Sequence, residues 1–134
     1  ALIESPSYLA YDKKFVDIHT ALTRFQQQAD LYVCTARQLR QPVLDQLESF
    51  DILRFFKQVM VTEQKHSKET LIAAHVANLS SQDWMFGDTG NDIQVGKLLN
   101  MNTCAVLSGF LSRESMEDYN PDLIINFVSD FSLL

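Results

Sequence analysis

Short apolar stretches alternate with helical patterns along this chain, and the alternation limits the folds open to it. Residues at helical spacing predict four helices between the apolar stretches. A strict alternation of strand and helix favours a parallel sheet with helices on both faces. We therefore predict an α/β fold, a three-layer doubly wound sheet of five mainly parallel strands. The five predicted strands are Leu31–Cys34, Val59–Val61, Trp84–Phe86, Thr103–Leu107 and Leu123–Ile125.

Ahead of the first strand, apolar residues at helical spacing predict an amphipathic helix that covers one face of the sheet. Residues 1–12 show no clear period, so we predict an irregular lead-in there and a core over residues 13–134. A chain of 134 residues with 46% hydrophobic content suits a single domain. The helix-marking residues are Phe15, Ile18, Leu22 and Phe25.

Capping residues predict where three of the helices begin or end. Ser67 is placed to cap the helix after the second strand. Asn100 tolerates the left-handed conformation that often ends a helix, and Asn120 before Pro121 ends the last one.

Charge and cysteine usage exclude several classes of partner. Eleven Lys and Arg against 17 Asp and Glu give a formal net charge of −6 without any basic run, so we expect no nucleic-acid partner. No apolar run approaches the roughly 18 residues of a membrane span, so we expect no membrane association. Cys34 and Cys104 lie inside apolar stretches, which predicts reduced core thiols of a cytoplasmic protein.

The segment from Trp84 to Asp92 holds two carboxylates four residues apart, just beyond a predicted strand. Gly87 would free the backbone to turn, with Asp88 in the turn and Asp92 in the first turn of the next helix. Such a pair suits Mg²⁺, which takes one or two protein carboxylates and fills its octahedron with water and phosphate oxygens. A purely structural interpretation stays open, since acidic residues favour any helix N-terminus.

Polar residues follow three successive predicted strands. Thr35 follows the first strand, Lys65 and Lys68 follow the second, and Asp88 follows the third. In open α/β sheets ligands bind outside the carboxyl ends of the strands, so these groups should meet at one edge. A hydroxyl, an ammonium and carboxylates together predict a site for phosphate and a metal ion.

With these motifs in this order, the chain resembles the haloacid dehalogenase (HAD) superfamily, whose core is Rossmann-like. Its motif two, an apolar strand ending in Ser or Thr, is matched by Leu31–Thr35. Its motif four, an apolar strand and then Gly-Asp-x-x-x-Asp, is matched by Trp84–Asp92. Residues 100–109 and 121–125 resemble the tail of phosphoglycolate-phosphatase-like members. The resemblance covers roughly Phe15 to Asp130.

The resemblance implies a Mg²⁺-dependent phosphatase of a small phosphorylated metabolite that uses an aspartyl-phosphate intermediate. Thr35 would bind a phosphoryl oxygen, and Asp88 and Asp92 would hold Mg²⁺ directly or through water. The motif-three lysine matches Lys68, in a Ser-Lys setting, with Lys65 as the alternative.

Arg37 is a further candidate for contact with a substrate phosphate. The alternative is a solvated residue near the start of a helix.

The family nucleophile, the first Asp of Asp-x-Asp-x-Thr upstream of motif two, is missing from this sequence. We favour truncation, in which residues 4–9 resemble the chain re-entering the core after a cap, and the nucleophile strand and cap lie upstream. In the alternative, Leu2 and Ile3 are a relic of that strand, and Ser5 and Ser7 replace its acids. The chain is then a non-catalytic pseudoenzyme or interaction domain.

In the family sheet the nucleophile strand is central. It lies between the strand that ends at Thr35 and the strand that ends just before Asp88. Its absence predicts two unpaired inner strand edges, and such edges invite self-association. Because covalent catalysis disappears with the nucleophile, we predict that this chain alone is inactive.

Overall fold

The computed structural model describes residues 2–4, 18–107 and 112–132, and its strands form one parallel sheet. The order across the sheet is β3-β2-β1-β4-β5-β6, and every neighbouring pair is parallel. The strands are β1 (Leu2–Glu4), β2 (Leu31–Thr35), β3 (Gln58–Val61), β4 (Trp84–Gly87), β5 (Asn102–Val106) and β6 (Leu123–Ile125).

Five α-helices in the described residues connect or precede these strands. They alternate with the strands as predicted, and the doubly wound α/β fold class is confirmed. No helix among the described residues has the length and apolar character needed to cross a membrane. The helices are α1 (Ile18–Gln26), α2 (Arg40–Ser49), α3 (Lys68–His75), α4 (Gly90–Leu98) and α5 (Arg113–Glu117).

The sheet has six strands where five were predicted, because Leu2–Glu4 forms β1 between β2 and β4. Leu2 lies opposite both Leu31 and Trp84. The prediction of two unpaired inner edges is therefore wrong, and with it the structural reason given for self-association. The prediction of an irregular lead-in was also wrong for residues 2–4, which form β1. Three residues are too few to show a strand period, and this strand is recognisable only through its pairing with both neighbours.

The two faces of the sheet bury separate hydrophobic clusters. Successive side chains of β2 point to opposite faces, so Val33 packs on the side of α1 and α2 and Cys34 on the side of α3 and α4. Cys34 and Cys104 are both buried, as the prediction of core thiols required. The three-layer arrangement leaves the carboxyl edge of the sheet as the place where loops meet.

The predicted helix caps are confirmed. Ser67 Oγ accepts a hydrogen bond from the Thr70 amide at 3.2 Å and starts α3. Asn100 and Asn120 have left-handed φ angles of 58° and 55° after α4 and α5. Several residues named in the sequence analysis lie outside the described residues. They are Phe15, residues 5–9 of the proposed cap junction, which include Ser5 and Ser7, and residues 108–109 of the tail that resembles the family.

Candidate active site

Four of the predicted site residues have side chains buried at the carboxyl edge of the sheet, where Thr62 after β3 is buried as well. Thr35 is the last residue of β2, Lys68 is the first residue of α3, Asp88 directly follows β4, and Asp92 lies in the first turn of α4. Their exposed fractions are 5%, 8%, 5% and 0%. Polar groups are costly to bury unless they are hydrogen-bonded or paired, so their concentration at this edge needs compensating contacts.

The central contact is an ion pair between Lys68 and Asp92. Lys68 Nζ donates to Asp92 Oδ1 at 2.6 Å, and both side chains are more than nine-tenths buried. Lys65, the alternative for the site lysine, is exposed in the loop before α3. Of the two lysines, the structure therefore brings Lys68 into the cluster and leaves Lys65 outside it.

The second oxygen of the Asp92 carboxylate is held by Thr89. Thr89 Oγ1 donates to Asp92 Oδ2 at 2.9 Å. The same hydroxyl oxygen accepts from the Asp92 amide at 3.4 Å, which makes Thr89 the N-cap of α4. Sequence reasoning missed Thr89. A signal was present, because a threonine followed three residues later by an acid resembles a capping box.

Gly87 is required for close packing rather than for a turn. A Cβ built at this position would overlap Cβ, Cγ and Oδ2 of Asp92. Its φ angle is not in the left-handed region, so the expectation that Gly87 frees the backbone to turn is wrong. The missing side chain instead lets the Asp92 carboxylate lie directly against the end of β4.

Cys34 lies on the same side of the sheet as the ion pair and could be suspected of replacing the missing nucleophile. Burial raises the pKa of the Cys34 thiol to about 12, and the nearby Lys68 ammonium offsets only part of this effect. A thiol with that pKa is neutral at physiological pH, whereas a nucleophilic cysteine reacts as the thiolate. Cys34 is therefore a core residue.

Arg37 lies two residues beyond Thr35 with its side chain exposed. It lines a surface groove of about 310 Å³ together with Leu39, Pro42 and neighbouring residues of the β2–α2 connection. The groove is open to solvent, so Arg37 is at the rim of this edge rather than in the buried cluster. The alternative interpretation, a solvated residue at the start of a helix, agrees with this exposure.

The acidic side chains of this site suit a hard cation that takes only one or two of its ligands from the protein. Asp88 and Asp92 carry carboxylate oxygens, and both oxygens of Asp92 also accept hydrogen bonds, from Lys68 and Thr89. Mg²⁺ in proteins is usually held by one or two carboxylates together with water and phosphate oxygens. No group of three or more His, Cys, Asp and Glu side chains placed to hold a metal occurs in the described part of the chain. The two carboxylates fit Mg²⁺ better than a metal that needs an all-protein cage.

Comparison with solved structures finds similar folds in larger proteins. A haloacid dehalogenase-like family hydrolase from Streptococcus pneumoniae aligns with a TM-score of 0.74 and 21% identity, over 84% of this chain and 55% of that one. A predicted phosphatase from Clostridium acetobutylicum aligns with a TM-score of 0.70 and 24% identity, over 84% and 55%. A predicted phosphoglycolate phosphatase from Haemophilus somnus gives 0.70 and 17%, over 84% and 53%.

At these low identities the structural likeness shows the fold alone, and the chain spans about half the length of the solved structures it matches. No curated protein sequence matches the chain. A family model described as HAD-hydrolase-like matches residues 59–131, which is more than half of the chain and includes Lys68, Asp88 and Asp92. The chain therefore belongs to the HAD-hydrolase-like family, and it shares the fold of the α/β core of the larger proteins that it matches.

Proposed function

We propose that this chain is the phosphate- and metal-binding core of a Mg²⁺-dependent phosphohydrolase of small phosphorylated metabolites. The observation that carries the proposal is the buried Lys68–Asp92 pair at the carboxyl edge of the sheet. A buried ion pair gives little net stability compared with well-packed apolar residues, so a fold gains little by keeping one for folding alone. Its position at the edge where α/β proteins bind ligands favours a role in binding.

Each buried group has a distinct role in this proposal. The Lys68 ammonium neutralises the charge of the phosphoryl group, and the Thr35 hydroxyl donates a hydrogen bond to a phosphoryl oxygen. Asp88 and Asp92 hold Mg²⁺ directly or through water. When bound, the ion supplies Lewis-acid polarisation of the phosphoryl group. Arg37 at the rim is a further candidate for contact with the substrate.

The nucleophile has to come from outside the groups described. The 134 residues contain no Asp-x-Asp-x-Thr sequence, and Cys34 is a neutral thiol. A phosphoenzyme cannot form on the binding groups alone. We therefore propose that the catalytic aspartate belongs to a segment upstream of Ala1 in a longer protein, and that the present chain has no appreciable turnover.

A second candidate function is favoured by the position of β1. Leu2–Glu4 fills the centre of the sheet, between β2 and β4, where the family places its nucleophile strand. With this strand in that place, Ser5 and Ser7 follow it in the sequence where the family has its two acids. The chain would then be a non-catalytic HAD-like domain that binds a ligand or a partner without hydrolysis.

The two candidates are separated by comparing this chain with a form extended upstream through the encoded reading frame. Both proteins are assayed with a generic aryl phosphate and a panel of sugar phosphates, with Mg²⁺ and with chelator. We expect chelator-sensitive turnover from the extended form alone, lost in its Lys68→Ala variant and kept in Lys65→Ala. Loss of a covalent nucleophile has cost on the order of 10⁶ in turnover in a hydrolase.

Equal, chelator-sensitive turnover by the short chain would overturn the missing-nucleophile proposal. A true start codon near Ala1, or an inactive extended form that carries a restored motif, would favour the non-catalytic domain.

A further inference from the structure

Thr89 is linked to Lys68 through the carboxylate of Asp92. One carboxylate oxygen accepts from Thr89 Oγ1 at 2.9 Å and the other accepts from Lys68 Nζ at 2.6 Å. The Asp92 side chain is fully buried, and Gly87 lies against its Cβ, Cγ and Oδ2 atoms. The three polar side chains therefore form a continuous chain of contacts from the start of α4 to the start of α3.

We propose that Thr89 is a positioning residue that fixes the rotation of the Asp92 carboxylate and thereby the place of the Lys68 ammonium. A carboxylate held at one oxygen can still rotate about its Cβ–Cγ bond, because this torsion has a broad preference. A second hydrogen bond to the other oxygen removes that freedom. The positioning of Lys68 is independent of the proposed function. Only the ligand of its ammonium, a phosphoryl group, rests on that proposal.

The distances favour this role over a helix cap alone. The capping contact, from the Asp92 amide to Thr89 Oγ1, is 3.4 Å long and lies beyond the usual range for an N–H···O hydrogen bond. The contact from Thr89 Oγ1 to the carboxylate is 2.9 Å and is assisted by the charge of the acceptor. Charge-assisted hydrogen bonds are roughly twice as strong as neutral ones, so the hydroxyl contributes more as a donor to Asp92 than as a cap.

The chain offers variants that separate the two roles. Thr89→Gly removes the hydroxyl but places at the N-cap a residue that helix N-termini tolerate well, and Thr89→Ser keeps the hydroxyl. Ser112 is a matched control, because its Oγ caps α5 by accepting from the Ser115 amide at 3.2 Å. Ser112→Gly therefore removes a comparable cap from a helix that makes no contact of this kind with Lys68.

The readout is the rate at which Lys68 is acetylated by an amine-reactive acetyl ester, measured by mass spectrometry of peptides. Lys65 in the same protein is exposed and serves as the internal reference. We expect Lys68 to be protected in the wild type and in Thr89→Ser. In Thr89→Gly we expect its rate relative to Lys65 to rise about 10-fold, the size of effect expected for one hydrogen bond to a charged group. Ser112→Gly should leave it unchanged.

Protection of Lys68 that persists in Thr89→Gly, or is lost in Thr89→Ser, would overturn the proposal. An equal loss of protection in Ser112→Gly would show that general helix fraying is responsible. The acetylation rates need no phosphatase activity, so an inactive extended protein with the expected Lys68 rates would defeat the proposed function and leave Thr89 as a positioning residue.

Discussion

Gly87 and Asp92 pack so closely that no side chain larger than hydrogen fits at position 87. A Cβ there would overlap three atoms of the Asp92 side chain, which is held between Lys68 and Thr89 and has no free direction in which to move. The glycine and the aspartate of motif four are therefore coupled sterically across four residues of sequence. This coupling ties the end of β4 to the ion pair.

We expect Gly87→Ala to destabilise the protein by roughly 3 kcal/mol, because the added methyl group forces Asp92 away from Lys68 and strains a packed site. Urea unfolding of the variant and the wild type measures this cost. Gly90→Ala is the matched control. A Cβ at Gly90 would meet the ring of Tyr119, which is 37% exposed and can swing into solvent. A cost for Gly90→Ala as large as that of Gly87→Ala would contradict the steric argument.

The Lys68–Asp92 pair should show the behaviour of a buried ion pair. Lys68→Met leaves the Asp92 carboxylate buried without its cation, and we expect a loss of about 3 to 5 kcal/mol. Adding Asp92→Asn should recover much of that loss, because no uncompensated charge then remains buried. Lys65→Met, at an exposed site, should stay within about 0.5 kcal/mol of the wild type. Single and double variants are compared by urea unfolding, and additive losses would show that the two side chains are not coupled.

The sequence predicted the parts of this fold that are encoded locally. Strand positions and the caps at Ser67, Asn100 and Asn120 each depend on a few neighbouring residues, and the structure places them where expected. Lys68 was preferred to Lys65 as the site lysine on the family resemblance, and the structure buries Lys68 and leaves Lys65 exposed.

The remaining features depend on contacts between distant segments. The strand character of Leu2–Glu4 comes from pairing with residues about 30 and 80 positions away, and its own sequence is too short to reveal it. The function of Gly87 depends on the direction of the Asp92 side chain, which follows only once α4 is packed on the sheet. Tyr119 packs on Gly90 from outside the motifs, and no sequence pattern indicates this contact.

Cys34 should make stability depend on alkaline pH. Burial raises the pKa of its thiol from 9.0 in the unfolded reference to about 12, so between these values the unfolded chain releases a proton that the folded chain retains. Stability contributed by this group is present below pH 9 and is lost as the pH rises toward 12, by at most about 1.4 kcal/mol per pH unit. We expect Cys34→Ala to show a shallower fall of the unfolding free energy between pH 8 and 10.5. Parallel curves for the two proteins would contradict a raised thiol pKa.

Mg²⁺ binding to this chain should be weak and should depend on Asp88. The residue is buried at the carboxyl edge, and Mg²⁺ prefers carboxylate oxygens. The nucleophile aspartate that completes the family site is absent from the sequence, so we expect an affinity well below that of the extended form. Titration with Mg²⁺ by calorimetry or NMR should give a response in the wild type that Asp88→Asn abolishes.

Asp45→Asn is the control for this titration, because Asp45 is exposed on α2 and accepts a hydrogen bond from Gln41 at 2.9 Å, away from the candidate site. Its response should match that of the wild type, since removing a surface carboxylate changes only the general attraction of cations, which salt screens. Identical responses from the wild type and Asp88→Asn would rule out this metal site, whereas a low affinity shared by the wild type and Asp45→Asn is the expected result for an incomplete one.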